Sequence, residues 1–449
     1  MSATHKQRFW ILVSLVAISG FSQGMLLPLI AIIFEKDGLS STINGLNATG
    51  LYLGILFISP FMEAPLRRYG YKPIIAAGGL LVIVSLALFP LWKSVVFWFV
   101  LRLFIGIGDH ALHFGTQTWI TSSSPADKRG RNISLYGLFF GIGFAVGPLM
   151  TPLIEINQAL PFMISSALCL ITWVFLFLIK NEFPLQEVEV NSLKETAKRF
   201  SKAAKYAWIA FLPPFGYGFL ESSLNGSFPV YGLRIGLQVE FISLLLTSFA
   251  VGAIVFQLPL GILSDKFGRK LVLGWILSIG AVTFFTASLL EETAIPLVAC
   301  LFIAGMVVGS TFSLGISYMT DLIPARLLPT GNLLCGIAFS IGSLAGPYIG
   351  GTFIQFFHHI SFFNIISGML GFIFIILFVF GQKMPRQQDS RLFFKLLAFD
   401  AEELIFQFVS LYAQCRSDHV LNRWLFAKFA DYLFHLLRAY DSSMSPVLK

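Results

Sequence analysis

Gly-Ile-Leu-Ser-Asp-Lys-Phe-Gly-Arg-Lys, residues Gly261 to Lys270, stands between two long apolar runs. A worn copy, Glu-Ala-Pro-Leu-Arg-Arg-Tyr-Gly-Tyr-Lys, residues Glu63 to Lys72, stands between two others. Gly268 matches Gly70 at a spacing of 198. A second set agrees: Gly137, Gly143 and Gly147-Pro148 recur as Gly336, Gly342 and Gly346-Pro347, 199 residues on. The chain therefore contains a duplicated block, and a duplicated block of apolar helices is a common way to build a membrane carrier with its site between the copies.

Composition excludes a soluble fold. Of 449 residues 56% are hydrophobic and only 12% charged, with 48 phenylalanines and a mean hydropathy of +0.78. Soluble domains carry about 25% charged residues. No cleavable signal peptide is expected: His5, Lys6 and Arg8 precede an apolar run from Phe9 to Phe34 that is too long for a signal core and lacks a small-residue cleavage site. The four cysteines, Cys169, Cys300, Cys335 and Cys415, lie far apart and give neither a metal spacing nor a disulfide framework.

Twelve apolar stretches are long enough to cross ~30 Å of hydrocarbon. They lie near 9–34, 42–66, 73–92, 94–120, 132–154, 161–180, 206–232, 240–262, 270–289, 294–320, 331–356 and 361–381. Lipid offers no partner to loose backbone groups, so each is a helix. The predicted class is an all-α integral membrane protein, with twelve transmembrane helices in two six-helix pseudo-repeats around a central cavity. Residues 1–180 form the first bundle, 181–205 a cytoplasmic linker, 206–382 the second bundle and 383–449 a cytoplasmic tail.

Basic loops follow the even-numbered spans: Arg67, Arg68 and Lys72; Lys128, Arg129 and Arg131; Lys266, Arg269 and Lys270; and Arg326. The linker adds Lys194, Lys198, Arg199, Lys202 and Lys205, and ends in a basic amphipathic stretch suited to the membrane face. The opposite loops are short and mostly acidic or neutral, with Glu35, Asp37, Glu155, Glu240, Glu291 and Glu292. The positive-inside rule then puts both termini in the cytoplasm of a cell (plasma or inner) membrane protein. The net charge of +8 sits in these loops and is not read as nucleic-acid binding. In the tail, residues 419–440 place Arg423, Lys428, Asp431, His435 and Arg438 on one arc, opposite Leu421, Leu425, Phe429, Tyr432, Leu433 and Leu436. The expectation is an amphipathic helix resting on membrane or protein, with a regulatory domain as the alternative.

Twelve spans in two halves, with a Gly-Arg-Lys loop after the eighth and its relic after the second, resemble the major facilitator superfamily. The resemblance is closest to its proton-coupled drug and solute exporters. Gly261, Asp265, Gly268, Arg269 and Lys270 fit the family's loop pattern, which the resemblance implies latches the outward-open state on the cytoplasmic side. The first-half loop departs from it, with Arg67 in place of the aspartate and Glu63 in place of the glycine. Either Glu63 and Arg67 pair locally across one helical turn, or the latch is rewired with reversed polarity.

The fourth span is the most telling. Arg102, Gly106, Asp109, His113 and Gln117 fall within one arc ~80° wide at helical spacing. Asp109 lies midway along the span, where a charge costs several kcal/mol unless it faces a polar interior or a partner. Asp109 is thus a candidate for proton coupling or substrate binding, against a buried ion pair. Arg102 is open between the two, and His110 points off this face and is read as structural. Arg102-x-x-x-Gly106 also resembles a helix-4 motif of proton-coupled carriers.

The seventh span supplies the other acid. Tyr217, Glu221 and Asn225 recur every four residues, after Pro213, Pro214, Gly216 and Gly218. A carboxyl group in apolar surroundings favours its neutral form. Glu221 is therefore the first candidate for proton carrier or cation recognition, with pairing to Arg102 or another helix as the alternative. In the family, spans 1, 4, 7 and 10 line the cavity, so the two charged spans are among them. Gln23 and Ser19 on span 1, and Ser310, Thr311, Ser313 and Ser317 on span 10, are milder candidates. The glycines of span 5 resemble an exporter signature in part, and small-residue packing explains them alone.

No nucleotide-binding loop, metal cluster or nucleophile–base constellation occurs in the sequence, so neither an enzyme nor an ATP-driven pump is expected, and no cofactor. The function read from the sequence is a secondary active transporter working by alternating access, with proton-coupled export of a small amphipathic or cationic organic compound. The alternative is a symporter or uniporter importing a small nutrient. The expected partners are a small-molecule substrate, protons and membrane lipid, with the chain a monomer. Cargo identity is beyond a motif reading.

Overall fold

The structure is a computed structural model that describes residues 3–124, 129–183, 193–324, 327–357 and 359–381. The described residues fall within one compact unit, residues 1–383. The readings of the 383–449 tail, its 419–440 helix, Lys128 and Arg326 fall outside the described residues.

Among the described residues sixteen α-helices run in order. The first block holds α1 (Ala3–Lys36), α2 (Ser41–Ile58), α3 (Glu63–Tyr69), α4 (Tyr71–Leu88), α5 (Val95–Ser123), α6 (Arg129–Val146) and α7 (Leu160–Phe175). After α8 (Leu193–Ala207), the second block holds α9 (Leu212–Gly226), α10 (Phe228–Arg234), α11 (Val239–Phe267), α12 (Arg269–Leu289), α13 (Ala294–Val308), α14 (Thr311–Leu322), α15 (Leu328–Phe356) and α16 (Phe363–Phe380). Among the described residues eleven helical stretches are long and apolar enough to cross a membrane. The seventh apolar stretch is the twelfth of the set, divided at Gly226–Ser227 into α9 and α10, with Pro229 just beyond the break. The chain has the twelve-helix, multi-pass architecture that the sequence predicts.

The duplication is visible in packing as well as in sequence. A Cβ on Gly143 of α6 would lie 1.9 Å from the Ala17 carbonyl of α1, and one on Gly342 of α15 would lie 2.0 Å from the Phe215 carbonyl of α9. Gly147 meets the Phe21 carbonyl at 2.5 Å and Gly346 the Phe219 carbonyl at 2.6 Å. Ala17 and Phe215, like Phe21 and Phe219, are again 198 apart. The repeated glycines are therefore close-approach points, where small residues let two backbones touch. Gly70 and Gly268 share a different duty: φ is +83° and +94°, and each turns one helix straight into the next. Only glycine adopts that backbone without cost.

Between the two blocks, α2 packs along α15, and α6 with its 3₁₀ extension Gly147–Glu155 packs along α11. Among the described residues three polar links join the blocks: Arg234 Nε donates to Glu35 Oε1 at 2.7 Å, the Ser41 N–H to Gln355 Oε1 at 3.3 Å, and the Thr151 and Ser243 hydroxyls bond each other. All three lie at the end opposite the basic loops. That end is further tied by the ion pairs Lys93–Asp37, at 2.6 Å, and Lys36–Glu155.

The linker helix α8 is amphipathic as expected. Ala203 and Ala207 enter the apolar core of the second block, while Lys198, Lys202 and Lys205 are exposed.

Candidate functional site

α5 is continuous through the bundle, so the charged arc read from its sequence becomes one face. Asp109 is 2% exposed. Its Oδ1 accepts a hydrogen bond from Ser19 of α1 at 2.6 Å. Ser19 Oγ also lies 3.0 Å from His113 Nε2, one turn further along α5, and the Gln23 amide of α1 is 3.4 Å from the same nitrogen. The other ring nitrogen of His113, Nδ1, is 2.7 Å from the Tyr136 hydroxyl of α6. Phe140 closes over the imidazole edge-on at 5.1 Å. Three helices thus converge on one hydrogen-bonded string, Asp109–Ser19–His113–Tyr136. Gln117, a turn beyond His113 towards the basic loops, is exposed and outside it.

Arg102 has a different fate. It is fully buried, and its Nε, Nη1 and Nη2 have no hydrogen-bond acceptor among the described residues. The Arg102–Glu221 pairing is not made. Tyr52 of α2 lies within electrostatic reach of both side chains. Continuum and mutational work puts the penalty of an uncompensated buried charge at several kcal/mol, so this guanidinium is a marked feature of the fold.

On α9, Glu221 is half-buried, and among the described residues its carboxyl group has neither a cation nor a hydrogen-bond donor. Asn225 is not beside it in the functional sense: its amide donates to the Glu221 backbone carbonyl at 2.8 Å, closing a turn of the same helix. Tyr217, a turn before Glu221, stacks on Phe339 of α15 and faces Phe312 of α14, ring centroids 6.3 and 6.4 Å away. The arrangement sets an acid beside an aromatic wall. His110 points away from all of this, to Ser59 of α2 at 3.0 Å, as a structural reading requires.

The sequence model of the Major Facilitator Superfamily matches residues 12–239 and 210–437. The chain belongs to this superfamily. A relative described as the uncharacterized MFS-type transporter YfkF of Bacillus subtilis strain 168 is 55% identical over 369 residues, covering 82% of this chain and 94% of the relative. Multidrug resistance protein 1 of the same organism is 25% identical over 76% of this chain and 88% of its own. Among solved structures, a bacterial homologue of the human lysosomal transporter Spinster, inward-facing and occupied, superposes with a TM-score of 0.68 at 15% identity, covering 84% of this chain and 97% of that one. The nucleoside transporter NupG superposes with a TM-score of 0.68 at 13% identity, covering 83% and 99%.

Within this superfamily frame the two loops at the basic end are built differently. In the second block Arg269 donates to the Ser317 carbonyl at 2.7 Å, to Thr320 at 2.9 Å and to Asp321 at 2.6 Å, bolting the start of α12 to the end of α14. Asp265 is largely exposed and reaches Arg269 only at 3.4 Å. Lys270 donates to the Gly381 carbonyl. In the first block Arg67 is half-buried, and the Glu63 side chain that it was read to pair with lies outside the described residues. There Asn181 and Glu182 from the linker's entry hold the loop. Asn181 donates to the Tyr69 carbonyl at 2.9 Å and accepts the Lys72 N–H at 3.0 Å, while the Glu182 carbonyl accepts the Tyr71 N–H at 3.0 Å. The Glu182 carboxylate accepts from Arg8 and, at 2.8 Å, from Trp119 Nε1, and Trp119 stacks on Tyr71.

Sequence reasoning missed Tyr136, Tyr52 and Glu182. Tyr136 carried one usable signal: a phenol in an apolar span about seven residues from its basic end, near the depth of His113. Glu182 carried none, because nothing local tells a linker acid where the chain's second loop will be.

Proposed function

We propose that the chain is a proton-coupled secondary transporter of the cell membrane, exporting a small amphipathic or cationic organic compound by alternating access. The observation that carries this is the pair Asp109 and Glu221, two carboxyl groups inside spans of opposite blocks with no cation bonded to either among the described residues. Holding such an acid charged within a bundle costs several kcal/mol, so gaining or losing one proton there biases which packing of the bundle is favoured. Similarity to two multidrug resistance proteins, at 25% and 23% identity, supports export and an amphipathic cargo. The aromatic wall at Tyr217, Phe312 and Phe339 supports the same cargo.

On this reading the basic loops face the cytoplasm together with both termini, and the end closed by Arg234–Glu35 and Thr151–Ser243 is the outer one. The conformation is then inward-facing. Gating belongs to the 261–270 loop, and Glu221, Tyr217 and Phe339 contact the substrate.

The test is reconstitution into proteoliposomes with an imposed pH gradient and ethidium as the probe cation. Accumulation that follows the gradient, and falls at least tenfold in Glu221→Gln, is expected. Flux that ignores a collapsed gradient would sink the proton-coupled reading, and uptake driven by protons moving with the substrate would reverse the direction in favour of import.

The orphaned guanidinium favours a second reading of the cargo alone. A substrate bearing an acidic group as well as an amine would satisfy Arg102 and Glu221 at once. Stronger stabilisation by a zwitterionic naphthylalanine than by naphthylmethylamine would favour it.

A further inference from the structure

The string of hydrogen bonds at Asp109 has a direction. With Asp109 ionised, Ser19 donates to Oδ1 and so accepts from His113 Nε2–H, to which the Gln23 amide then turns its oxygen. The neutral ring then has a bare Nδ1, which accepts from the Tyr136 hydroxyl at 2.7 Å. Every O–H and N–H in the string points towards Asp109. It also runs along the bundle, because His113 is one turn and Gln117 two turns nearer the basic end of α5 than Asp109, and Gln117 is exposed. Tyr136 lies two turns from the basic end of α6.

We propose that Tyr136, His113 and Ser19 are a proton wire that loads Asp109 from the end of the bundle bearing the basic loops. This rests on the reading of Asp109 as a proton carrier. In one transfer the Tyr136 proton passes to His113 Nδ1, the Nε2 proton to Ser19 Oγ, and the Ser19 proton to Asp109 Oδ1. Tyr136 is reprotonated by water arriving past Gln117. One proton is gained by Asp109 and one is taken from that water, while His113 changes tautomer and stays neutral. An imidazole with both nitrogens engaged suits this duty, since it can accept on one side as it donates on the other.

The surroundings favour conduction over storage along the string. The groups facing it are Asp109 from α5, Tyr136 from α6, Cys169 from α7, and the neutral Ser19, Ser22 and Gln23 from α1, while His110, the next titratable neighbour on α5, points away to Ser59. No lysine or arginine is among them. A positive charge resting on His113 would have only Asp109 to stabilise it, and Phe140 covers the ring. The opposite end of the bundle has no matching string among the described residues; its polar links include the inter-block bonds at Arg234, Thr151 and Ser41 and the ion pairs Lys93–Asp37 and Lys36–Glu155. Loading from one end, in the packing seen here, follows from that asymmetry.

The experiment needs no substrate. Purified full-length protein is subjected to a rapid drop in pH, and the rise of the protonated-carboxyl infrared band is timed, with Asp109→Asn identifying the band. Tyr136→Phe and Ser19→Ala each delete one hydroxyl while nearly conserving shape, and thermal melting confirms that each variant is folded. The expected result is an Asp109 band that appears at least tenfold more slowly in either variant, with its final amplitude retained and with the parent's solvent deuterium isotope effect altered. Loading at the parent's rate in both folded variants would overturn the wire and leave Asp109 standing as a proton carrier. A parent with no band removed by Asp109→Asn would overturn the proton-carrier reading itself, and the wire with it.

Discussion

Gly45→Ala isolates the contact that closes one end of the molecule. A Cβ at Gly45 of α2 would lie 2.0 Å from the Pro347 carbonyl oxygen of α15 and 2.8 Å from its carbon. Both atoms are rigid backbone, so relief requires α2 and α15 to separate by at least about 1 Å, an overpacking cost of roughly 1–3 kcal/mol. That cost falls on a seam between the two blocks, leaving each block's own core untouched. If the blocks rock, the state with this seam open does not feel the methyl group. The closed state is then depleted by roughly 5–150-fold relative to the open one. Gly143→Ala is the matched control: its Cβ would lie 1.9 Å from the Ala17 carbonyl, an equally hard collision, but inside the first block. It should lower the melting temperature and leave the seam equilibrium alone. Spin labels on the exposed ends of α2 and α15, at Ile43 and Phe356, report the seam by pulsed distance measurement. Lengthening in Gly45→Ala with an unchanged melt, and the converse in Gly143→Ala, is the expected pattern. Both variants melting early with the label distance unmoved would refute the argument that this seam is a switchable contact.

Arg102→Met removes a buried charge that has no acceptor among the described residues and keeps most of the side-chain volume. Replacing even a buried ion pair by apolar side chains of similar volume is often neutral or stabilising by about 1–4 kcal/mol, and a charge without a partner has no pair attraction to lose. The melting temperature should therefore hold or rise while transport falls, and a lower melting temperature would mean that the guanidinium is paired in solution. Asp321→Asn weakens the clamp that Arg269 forms on α14. The pair is about a quarter exposed, so its worth is discounted to about 1 kcal/mol, or roughly fivefold in local opening. Trypsin should then cut at Lys266–Lys270 several-fold faster, and an unchanged cleavage rate would remove Asp321 from the latch.

The two charged spans were legible because each carries a signal that needs no neighbour. An acid amid some twenty apolar residues is costly wherever the helix sits, so Asp109 and Glu221 stood out alone. Gln117 and Asn225 shared their spacing and nothing more. Spacing gives the angle of a side chain about its own helix, and only packing decides whether that angle meets a partner, the opening of the bundle or the helix's own carbonyl. Asn225 chose the last. The divided loops were half legible: the lost aspartate at Arg67 announced a departure, but its replacement by Asn181 and Glu182 comes from more than a hundred residues away.

By itself the sequence determined the class, the twelve helices, the duplication and the two embedded acids. Hydrophobic run length, backbone satisfaction in lipid and internal repetition are properties of a chain read locally or against itself. The tertiary structure alone decided that the repeated glycines are touching points, that Arg102 finds no acceptor among the described residues and that Ser19, His113 and Tyr136 line up on Asp109. These depend on how α1, α5 and α6 are rotated and set in depth against one another. That choice is fixed by close packing summed over whole helix faces, and no single residue or spacing encodes it.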